Sequence, residues 1–475
     1  MSKNIAVIGG GPGGYAAAFL AADLGMQVTL IDERENPGGV CLYVGCIPSK
    51  ALLHVAALVN EAEHAKAWGI DYGQPKIDLD RLRGFKENVV KKLTGGLDQL
   101  AKQRKVTYLR GRAEFVNSNT LKVALVAGGQ QTLSFDNVVI GTGSRPASIP
   151  AFQINSPRIL DSTGGLALQN IPKSLLVVGG GYIGLELGTV YASLGTKVSV
   201  VEMLPGLLPG ADRDLVNPLA KRLEKIFASI MLNTTVAGLK EEADGIRVQF
   251  KPKDGEPSEQ VFEKVLVSIG RRPNSEVPGL EKTRVTKTPK GFIEVDAQRR
   301  TKDPVIYAIG DVAGEPMLAH KASHEGRLAI EHIAGHKVAW EPKAIPAVVF
   351  TDPEIAWCGL TEADAQAQAR DIKVARYPWA ASGKAMAIDR TDGVTKIIFD
   401  PQSERVLGVG IAGPNAGDMI SEAVLAIEMG ANATDLALTI HPHPTLSETL
   451  MGAAEVLHGT ATDIFRPLRA STAAK

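Results

Sequence analysis

The sequence has few cysteines and no excess of charge of either sign. Only three cysteines, Cys41, Cys46 and Cys358, occur among 475 residues, which is too few for the disulfide framework of a secreted protein of this length. Lys and Arg together number 52, as do Asp and Glu, so the formal net charge is zero. Without a basic excess, the chain is not expected to bind nucleic acid.

Long apolar runs are also missing from the sequence. No run of about 18 apolar residues, the length that spans a bilayer, stands out, and the N-terminus enters a strand-like segment from Ile5 to Ile8 without a signal-peptide pattern. We therefore expect a cytoplasmic protein that does not interact with a membrane. A chain of 475 residues is too long for one hydrophobic core and suggests about three domains.

What the sequence does contain is a nucleotide-binding pattern that occurs twice. Each copy has a short apolar run, the pattern G-x-G-x-x-G, a helical stretch and a second strand that ends in an acid. The glycines are Gly9, Gly11 and Gly14 in the first copy and Gly179, Gly181 and Gly184 in the second. The acids, Asp32 and Glu202, follow the last glycine by 18 residues in both copies. A lone match is often only a turn, but two complete units predict two dinucleotide sites.

Two of the cysteines lie just beyond Asp32, in the segment from Gly38 to Lys50. Zinc is a poor explanation, because the pair lacks two further ligands. On a regular helix, residues five apart rise by about 7.5 Å, which is more than a disulfide tolerates. The segment is therefore expected to be distorted, and Gly45 and Pro48 suit that distortion. A helix N-terminus nearby would lower a thiol pKa and favour the thiolate that disulfide exchange requires.

Three charged or titratable positions admit both a structural and a chemical interpretation. Lys50 is an exposed helical lysine or a cation that stabilises negative charge on a reduced flavin. Asp311, after a strand at 305–308, is a turn or cap residue or a partner for the sugar-alcohol chain of a flavin. Glu448 can orient the imidazole of His443 as a base, but Thr445 and Glu448 also match a capping box. Spacing alone does not decide between these alternatives.

The sequence resembles the pyridine nucleotide-disulfide oxidoreductases over nearly the whole chain. The resemblance rests on the two G-x-G-x-x-G patterns, called fingerprints below, on the Cys-x4-Cys-x-Pro-Ser-Lys motif and on the terminal His-Pro-Thr cluster. The resemblance implies an α/β fold class, with two Rossmann-like dinucleotide-binding domains and an α+β C-terminal dimerisation domain. The expected domains are residues 1–145 (FAD-binding), 146–270 (NAD-binding), 271–345 (central, completing the FAD site) and 346–475 (interface). It also implies a homodimer in which the interface domain lends its histidine to the partner's active site.

The resemblance further assigns roles to individual residues. Cys41 is expected to be the interchange thiol that attacks substrate, and Cys46 the thiol nearest the flavin. His443 is the expected base, Glu448 its orienting carboxylate, and Glu186 the carboxylate that pairs with Lys50. The implied cofactor contacts are Gly9, Gly11, Gly14, Asp32, Gly39, Lys50, Ala113, Ser144, Asp311 and Ala319 for FAD, and Gly179, Gly181, Gly184, Glu202, Val236 and Gly270 for NAD. No metal is expected.

The implied activity is the reoxidation of protein-bound dihydrolipoyl groups through a redox-active disulfide and FAD, with NAD as acceptor. Glu202 is followed by Met203 and Leu204 rather than by the arginines that hold the extra phosphate of NADP. The implied partners are lipoyl-bearing acyltransferase subunits of 2-oxo acid dehydrogenase complexes or the glycine cleavage lipoyl protein.

Two other interpretations compete with this activity. Glutathione-type and mercuric reductases share the fold and the disulfide, but a C-terminal cysteine pair like that of mercuric reductase is missing after Thr460. A non-catalytic flavoprotein subunit would not need the intact cysteine pair. The chain also departs from the family pattern, because Tyr43 replaces the usual Asn and Pro442 a frequent Ala. A bulky phenol beside the disulfide is expected to alter packing or substrate access.

Overall fold

The computed structural model describes residues 2–149, 152 and 154–464, so the last residues of the expected interface domain lie outside the described part. The elements of the first segment are β1 (Asn4–Ile8), α1 (Pro12–Asp23), β2 (Gln27–Asp32), α2 (Gly39–Val44), α3 (Cys46–His64), α4 (Leu79–Gln103), β3 (Thr107–Asn117), β4 (Thr120–Leu125), β5 (Gln130–Ser134), β6 (Asn137–Ile140) and β7 (Ser144–Pro146).

The middle of the chain follows with a second βαβ unit. Its elements are β8 (Ile159–Leu160), α5 (Ser162–Ala167), β9 (Ser174–Val178), α6 (Tyr182–Ser193), β10 (Lys197–Val201), α7 (Arg213–Ile226), β11 (Ser229–Met231), β12 (Thr234–Glu241), β13 (Ile246–Pro252), β14 (Ser258–Phe262), β15 (Lys264–Val267), β16 (Arg271–Pro273), β17 (Ile306–Ala308) and α8 (Ala319–Ile333).

The C-terminal part alternates strands and helices. Its elements are β18 (Ala347–Val349), β19 (Ile355–Gly359), α9 (Glu362–Ala367), β20 (Lys373–Pro378), α10 (Gly383–Ala387), β21 (Val394–Phe399), β22 (Val406–Ala412), α11 (Ala416–Met429), α12 (Ala433–Leu438) and α13 (Glu448–His458).

The first sheet has the strand order β17-β6-β1-β2-β3-β4-β5. Strands β17 to β3 are parallel, whereas β3, β4 and β5 form antiparallel hairpins. Strand β1 is buried on both faces and therefore has a continuous apolar run from Ile5 to Ile8. The carboxyl end of β1 meets the N-terminus of α1, which is where the first fingerprint lies. Because β17 joins this sheet, residues after the second unit complete the first one.

The second sheet is parallel, with the order β11-β10-β9-β15-β8. The antiparallel strands β12, β13 and β14 pack against it through a cluster that includes Phe250 and Phe262. A short antiparallel pair, β7 with β16, connects the first and second units. The C-terminal sheet is antiparallel, with the order β18-β19-β22-β21-β20, and α11 and α13 cover it. The structure thus has the α/β class with an α+β C-terminal unit.

One helical stretch has a higher mean hydropathy than the search for uninterrupted apolar runs indicated. The helical stretch Gly39–Trp68 has a window of mean hydropathy 1.6, and its length and composition would allow it to cross a membrane. Its contacts support another interpretation, because α3 packs against α4 and α6, and Leu52, Leu53 and Ala56 belong to the core that α6 shares. The stretch is also interrupted at Gly45, between the two cysteines. We interpret it as a core helix of a soluble protein.

A buried ion cluster joins the second unit to the C-terminal one. Lys396 on β21 has a side chain that is 1% exposed, and its Nζ lies 2.6 Å from Asp212, 2.7 Å from Asp214 and 2.9 Å from Glu362. Arg376 pairs with Asp214 and Glu362 as well. The three carboxylates approach within the distance that a metal ion would require, but the Lys396 ammonium already lies among them. This cluster holds the start of α7 against β21.

Candidate active site

The first fingerprint forms a close turn between β1 and α1. Gly9 has φ +102°, and a Cβ there would lie 2.3 Å from the carbonyl oxygen of Gly141. A Cβ on Gly14 would lie 1.8 Å from the Gly9 oxygen, so the strand and helix could not pack as they do. Gly11 is the N-cap of α1, and among the described residues no side chain caps this helix. Its first N–H groups are suited to bind a pyrophosphate.

Asp32 ends β2 beside this turn. Its carboxylate accepts hydrogen bonds from the backbone N–H of Gly10 at 2.6 Å and of Arg34 at 2.9 Å. An open cleft of about 590 Å³ brings Asp32 together with Gly9 and Ala113. Gly39, with φ +58°, lies so close to the fingerprint that a Cβ would be 2.5 Å from the Gly11 Cα. The structure therefore collects the predicted FAD residues of this region around one cleft.

The second fingerprint repeats this geometry. Glu202 accepts hydrogen bonds from the N–H of Gly180 at 2.6 Å and of Leu204 at 2.8 Å. Gly179 has φ +103°, and a Cβ on Gly184 would lie 2.6 Å from the Gly179 oxygen. Gly181 is the N-cap of α6, which no side chain caps within the described part of the chain.

The remaining predicted NAD contacts lie at the same edge of the second sheet. Val236, on β12, packs in the cluster that contains Val178 and Val201, the last residues of β9 and β10. Gly270 follows β15 with φ +109°. All the predicted NAD residues are therefore near the carboxyl ends of the parallel strands, where α/β sheets bind ligands.

The two cysteines lie on either side of a break between helices. Helix α2 ends at Val44 and α3 begins at Cys46, with Gly45 between them at φ −142°, ψ −115°. This confirms the predicted distortion, and a Cβ at Gly45 would lie 2.9 Å from the Val40 oxygen. Both cysteines are free thiols in the structure, which is the reduced state of a pair close enough for side-chain hydrogen bonding.

The thiol pair is electrostatically asymmetric. Cys46 is exposed and Cys41 is half-buried. A hydrogen bond from Cys41 lowers the pKa of Cys46 to about 7 against the effect of burial, and the positive charge of Lys50 also lowers it. The same hydrogen bond, with burial, raises the pKa of Cys41. The electrostatics of the pair therefore favour the thiolate on Cys46 and the proton on Cys41.

Lys50 is held by an ion pair with Glu186. Lys50 Nζ lies 2.8 Å from Glu186 Oε2, and the Glu186 side chain is 5% exposed. The other carboxylate oxygen accepts the backbone N–H of Phe350 at 3.0 Å. Lys50 Nζ also lies 4.4 Å from the centre of the Phe350 ring. The contact thus brings together α3, α6 and the start of the C-terminal unit, and it fixes a positive charge one helical turn beyond Cys46.

Ser144 and Asp311, predicted to contact FAD, are in direct contact with each other. Ser144 Oγ donates to Asp311 Oδ2 at 2.5 Å, and Arg271 donates to Ser144 Oγ at 2.7 Å. Asp311 lies in a short 3-10 turn at Gly310–Val312. Ala319 is the first residue of α8, and among the described residues no side chain caps that helix. Serine, acid and helix N-terminus all lie close to the end of the first sheet.

His443 and Glu448 form a hydrogen-bonded pair. His443 Nδ1 lies 2.9 Å from Glu448 Oε1, and the imidazole is 78% exposed. Burial raises the pKa of Glu448, but hydrogen bonds from the Thr445 N–H and from His443 outweigh it and lower the pKa overall. The alternative capping box forms only in part: the Glu448 carboxylate accepts the Thr445 N–H at 2.7 Å, but the Thr445 hydroxyl donates to the Pro442 oxygen, and the N-cap of α13 is Ser447. The Glu448 carboxylate therefore contacts both the Thr445 backbone and His443 Nδ1.

Two family models match the chain and together cover most of it. The model described as pyridine nucleotide-disulphide oxidoreductase matches residues 3–326, and its dimerisation domain matches residues 345–454. The chain belongs to the pyridine nucleotide-disulphide oxidoreductases. It is accordingly a homodimeric flavoprotein that uses FAD and NAD.

Individual members of this family match the chain over nearly its full length. Dihydrolipoyl dehydrogenase of Haemophilus influenzae is 49% identical over 468 residues, covering 98% of both chains. Dihydrolipoyl dehydrogenase of Vibrio cholerae is 48% identical, also over 98% of both. Among solved structures, LpdA from Mycobacterium tuberculosis is similar with a TM-score of 0.88 and 28% identity, over 96% of this chain and 99% of that one.

Sequence analysis missed several residues that support this oxidoreductase site. Arg271 donates to Ser144, which in turn donates to Asp311, and Phe350 lies beside Lys50 from the C-terminal unit. Glu325, which is fully buried on α8, accepts the N–H of Gly310 at 2.6 Å. The sequence around these residues does not single them out, because Arg271 and Glu325 lie in polar stretches and Phe350 ends an ordinary apolar run.

The expected disturbance at Tyr43 does not arise. The phenol contacts the backbone of Asn36, in the segment that follows β2, and Arg34 stacks on its ring. The side chain therefore extends toward the segment that follows Asp32 rather than toward the thiols.

Proposed function

We propose that the enzyme reoxidises dihydrolipoyl groups carried by other proteins and passes the electrons to NAD. The observation that carries this proposal is the asymmetric thiol pair: Cys46 has a pKa of about 7, and Cys41 stays protonated beside it. This pair adjoins two dinucleotide sites in a chain 49% identical to a dihydrolipoyl dehydrogenase over nearly its whole length. The bound FAD supplies the two-electron link between the thiol pair and NAD.

The protein's own part in the reaction is disulfide exchange. In the oxidised enzyme, Cys41 and Cys46 form a disulfide. One dihydrolipoyl thiol gives its proton to His443 of the partner subunit and attacks Cys41 Sγ, so the bond between the two cysteines breaks and Cys46 leaves as a thiolate. The second dihydrolipoyl thiol then loses its proton and attacks the lipoyl sulfur bonded to Cys41, which forms the lipoyl disulfide and breaks the mixed disulfide. The proton of this second thiol ends on Cys41, so oxidised lipoyl is released and the Cys41 thiol and the Cys46 thiolate remain.

Charges around the thiols support this division of roles. The positive charge of Lys50 stabilises the Cys46 thiolate, and Glu186 with Phe350 keeps Lys50 in place. Glu448 holds His443 through Nδ1, so that Nε2 is the nitrogen that accepts the proton. Within one chain, no hydrogen bond or ion pair among the described residues joins His443 to the cysteines, which agrees with a site completed by the second subunit.

The proposed partners are proteins that carry lipoyl groups, namely acyltransferase subunits of 2-oxo acid dehydrogenase complexes or the glycine cleavage lipoyl protein. We also propose a cytoplasmic location, in line with the bacterial relatives. Reduction of glutathione or of mercuric ion has less support, because the full-length relatives named above are dihydrolipoyl dehydrogenases and the tail after Thr460 has no cysteine pair.

The His443→Gln variant tests the proposal by separating the two half-reactions. Reduction by dihydrolipoamide should slow by roughly 10² to 10⁴, the usual range for loss of a general base, while reduction by NADH stays nearly unchanged. Both rates are followed by stopped-flow absorbance of the flavin. His458→Gln is the matched control. His458 lies on the same helix as Glu448, and it also pairs with a glutamate, Glu404, at 2.9 Å. Normal reduction of His443→Gln by dihydrolipoamide would remove His443 from the mechanism.

A further inference from the structure

The segment between β2 and α2 connects the FAD ribose site to the cysteines. It runs from Glu33 to Gly38, starting directly after Asp32 and ending where α2 begins. Its far end is close to the fingerprint, because the Gly38 N–H donates to the Gly10 oxygen at 2.7 Å. Any shift of this segment would therefore move the Asp32 carboxylate and the cysteine-bearing turn relative to each other.

Tyr43 ties this segment to the cysteine-bearing turn. It lies on α2 between Cys41 and Cys46. Its hydroxyl accepts the Asn36 N–H at 3.0 Å and donates to the Asn36 carbonyl oxygen at 3.2 Å. One side chain thereby satisfies both backbone groups of a loop residue. An amide such as Asn at this position is several bonds shorter and could not place a polar atom where the phenol oxygen lies.

Two more contacts act on the same segment. The Arg34 guanidinium lies 4.8 Å from the centre of the Tyr43 ring, and the Arg34 N–H donates to Asp32 Oδ1 at 2.9 Å. In addition, Tyr108 on β3 donates its hydroxyl hydrogen to the Arg34 carbonyl oxygen at 3.1 Å. The backbone that carries the Asp32 carboxylate is thus held from α2 by Tyr43 and from β3 by Tyr108.

We propose that Tyr43 is a positioning residue for FAD, which fixes the Asp32 segment to the turn that carries Cys41 and Cys46. The bound flavin and the thiol pair then keep one relative placement through the reaction. This inference rests on the FAD site alone and does not depend on which dithiol the enzyme oxidises. Failure of the dihydrolipoyl proposal would therefore leave it untouched.

The test uses the FAD-loaded dimer with Tyr43→Phe, which removes only the hydroxyl, and Tyr43→Asn, which removes the ring as well. Loss of the paired hydrogen bonds should speed FAD release about fivefold to tenfold in Tyr43→Phe. Release from Tyr43→Asn should be faster still, because the Arg34 contact is lost too. Release is measured from the rise of free-flavin fluorescence after dilution, and no turnover is needed.

Tyr307→Phe is the matched control. Tyr307 is buried in the same sheet, on β17, and its hydroxyl makes one side-chain hydrogen bond, to His332 at 2.9 Å. It therefore loses a buried hydroxyl without touching the Asp32 segment, and FAD release should stay within about twofold of the parent.

A second readout follows the thiols. The two-electron reduced enzyme has a long-wavelength band from contact between the thiolate and the flavin, and its intensity is divided by that of the main flavin band. This ratio should fall in both Tyr43 variants and remain unchanged in Tyr307→Phe. The proposal is overturned if FAD release from both Tyr43 variants matches the parent, or if Tyr307→Phe accelerates release as much as Tyr43→Phe does. Faster FAD release from the Tyr43 variants with an unchanged absorbance ratio would overturn the claim that Tyr43 fixes the flavin relative to the thiols.

Discussion

Replacing Lys396 with Met should destabilise the protein, because it leaves three carboxylates without their central cation. Asp212, Asp214 and Glu362 would then repel one another inside the contact between α7 and β21. Breaking a buried ion pair by removing one partner costs about 3 to 5 kcal/mol. Arg376 still neutralises part of the charge on two of the carboxylates, so the lower end, about 3 kcal/mol, applies.

This free energy translates into a measurable shift of the unfolding temperature. An unfolding entropy of about 2.1 cal/mol/K per residue gives about 1 kcal/mol/K for a chain of 475 residues that unfolds cooperatively. Lys396→Met should therefore lower Tm by about 3 °C in calorimetry at fixed FAD and protein concentrations. Adding Asp212→Asn should recover part of that loss, because one of the repelling charges is removed.

A surface lysine supplies the control, and pH supplies a second check. Lys373, on β20, has a side chain that is 46% exposed and forms an ion pair with Glu404. Lys373→Met breaks this pair and should lower the free energy of unfolding by less than about 1 kcal/mol. Burial raises the pKa of Asp214, but hydrogen bonds from Lys396 and Arg376 lower it overall from 3.8. The Asp214 contribution is therefore complete above that pH and lost as pH falls through the lower folded-state pKa. A Lys396→Met shift equal to that of Lys373→Met, or one that persists in strong acid, would refute this reasoning.

Two further predictions concern the electron path. Glu202 should repel a 2′-phosphate, so kcat/KM with NAD should exceed kcat/KM with NADP. Glu202→Ala should reduce the ratio of these two values, which steady-state kinetics with both cofactors measures. Equal use of NADP by the parent enzyme would contradict the role given to Glu202. The thiolate-to-flavin absorbance of the reduced enzyme should vanish in Cys46→Ser, and in the parent it should grow with pH around a midpoint near 7, because that is the pKa of Cys46. A band that survives Cys46→Ser but is lost in Cys41→Ser would reverse the two roles.

Local parts of the site could be predicted from the sequence because the chemistry itself is local. The first and last glycines of each fingerprint, Gly9, Gly14, Gly179 and Gly184, occupy positions where a Cβ would collide with neighbouring backbone, so their spacing can be recognised without a structure. The distortion between Cys41 and Cys46 follows from helix geometry, and the break at Gly45 confirms it. The pairing of Lys50 with Glu186, by contrast, came only from the resemblance, since 136 positions separate the two residues.

Other parts could not be predicted because two physical solutions fit the same residues. Thr445 and Glu448 have the spacing of a capping box, and in the structure one Glu448 oxygen accepts the Thr445 N–H while the other contacts His443. The apolar stretch that begins at Gly39 has the composition of a membrane span, and only its packing shows otherwise. Tyr43 was expected to crowd the thiols because the sequence gives the position of a side chain along the helix but not its direction.

The C-terminal unit contacts Lys50 within one chain and is proposed to supply the base from the partner subunit, an arrangement that would link dimerisation to the chemistry. Within one chain, Phe350 follows β18, donates its N–H to Glu186 and lies beside Lys50, so the charge that stabilises the Cys46 thiolate depends on the docking of this unit. From the partner subunit, the same unit is proposed to supply His443. A monomer would lack the proposed base, and a chain whose C-terminal unit is displaced would lose the support of Lys50. The two losses differ in kind, because the first removes proton transfer with dihydrolipoamide, whereas the second raises the pKa of Cys46.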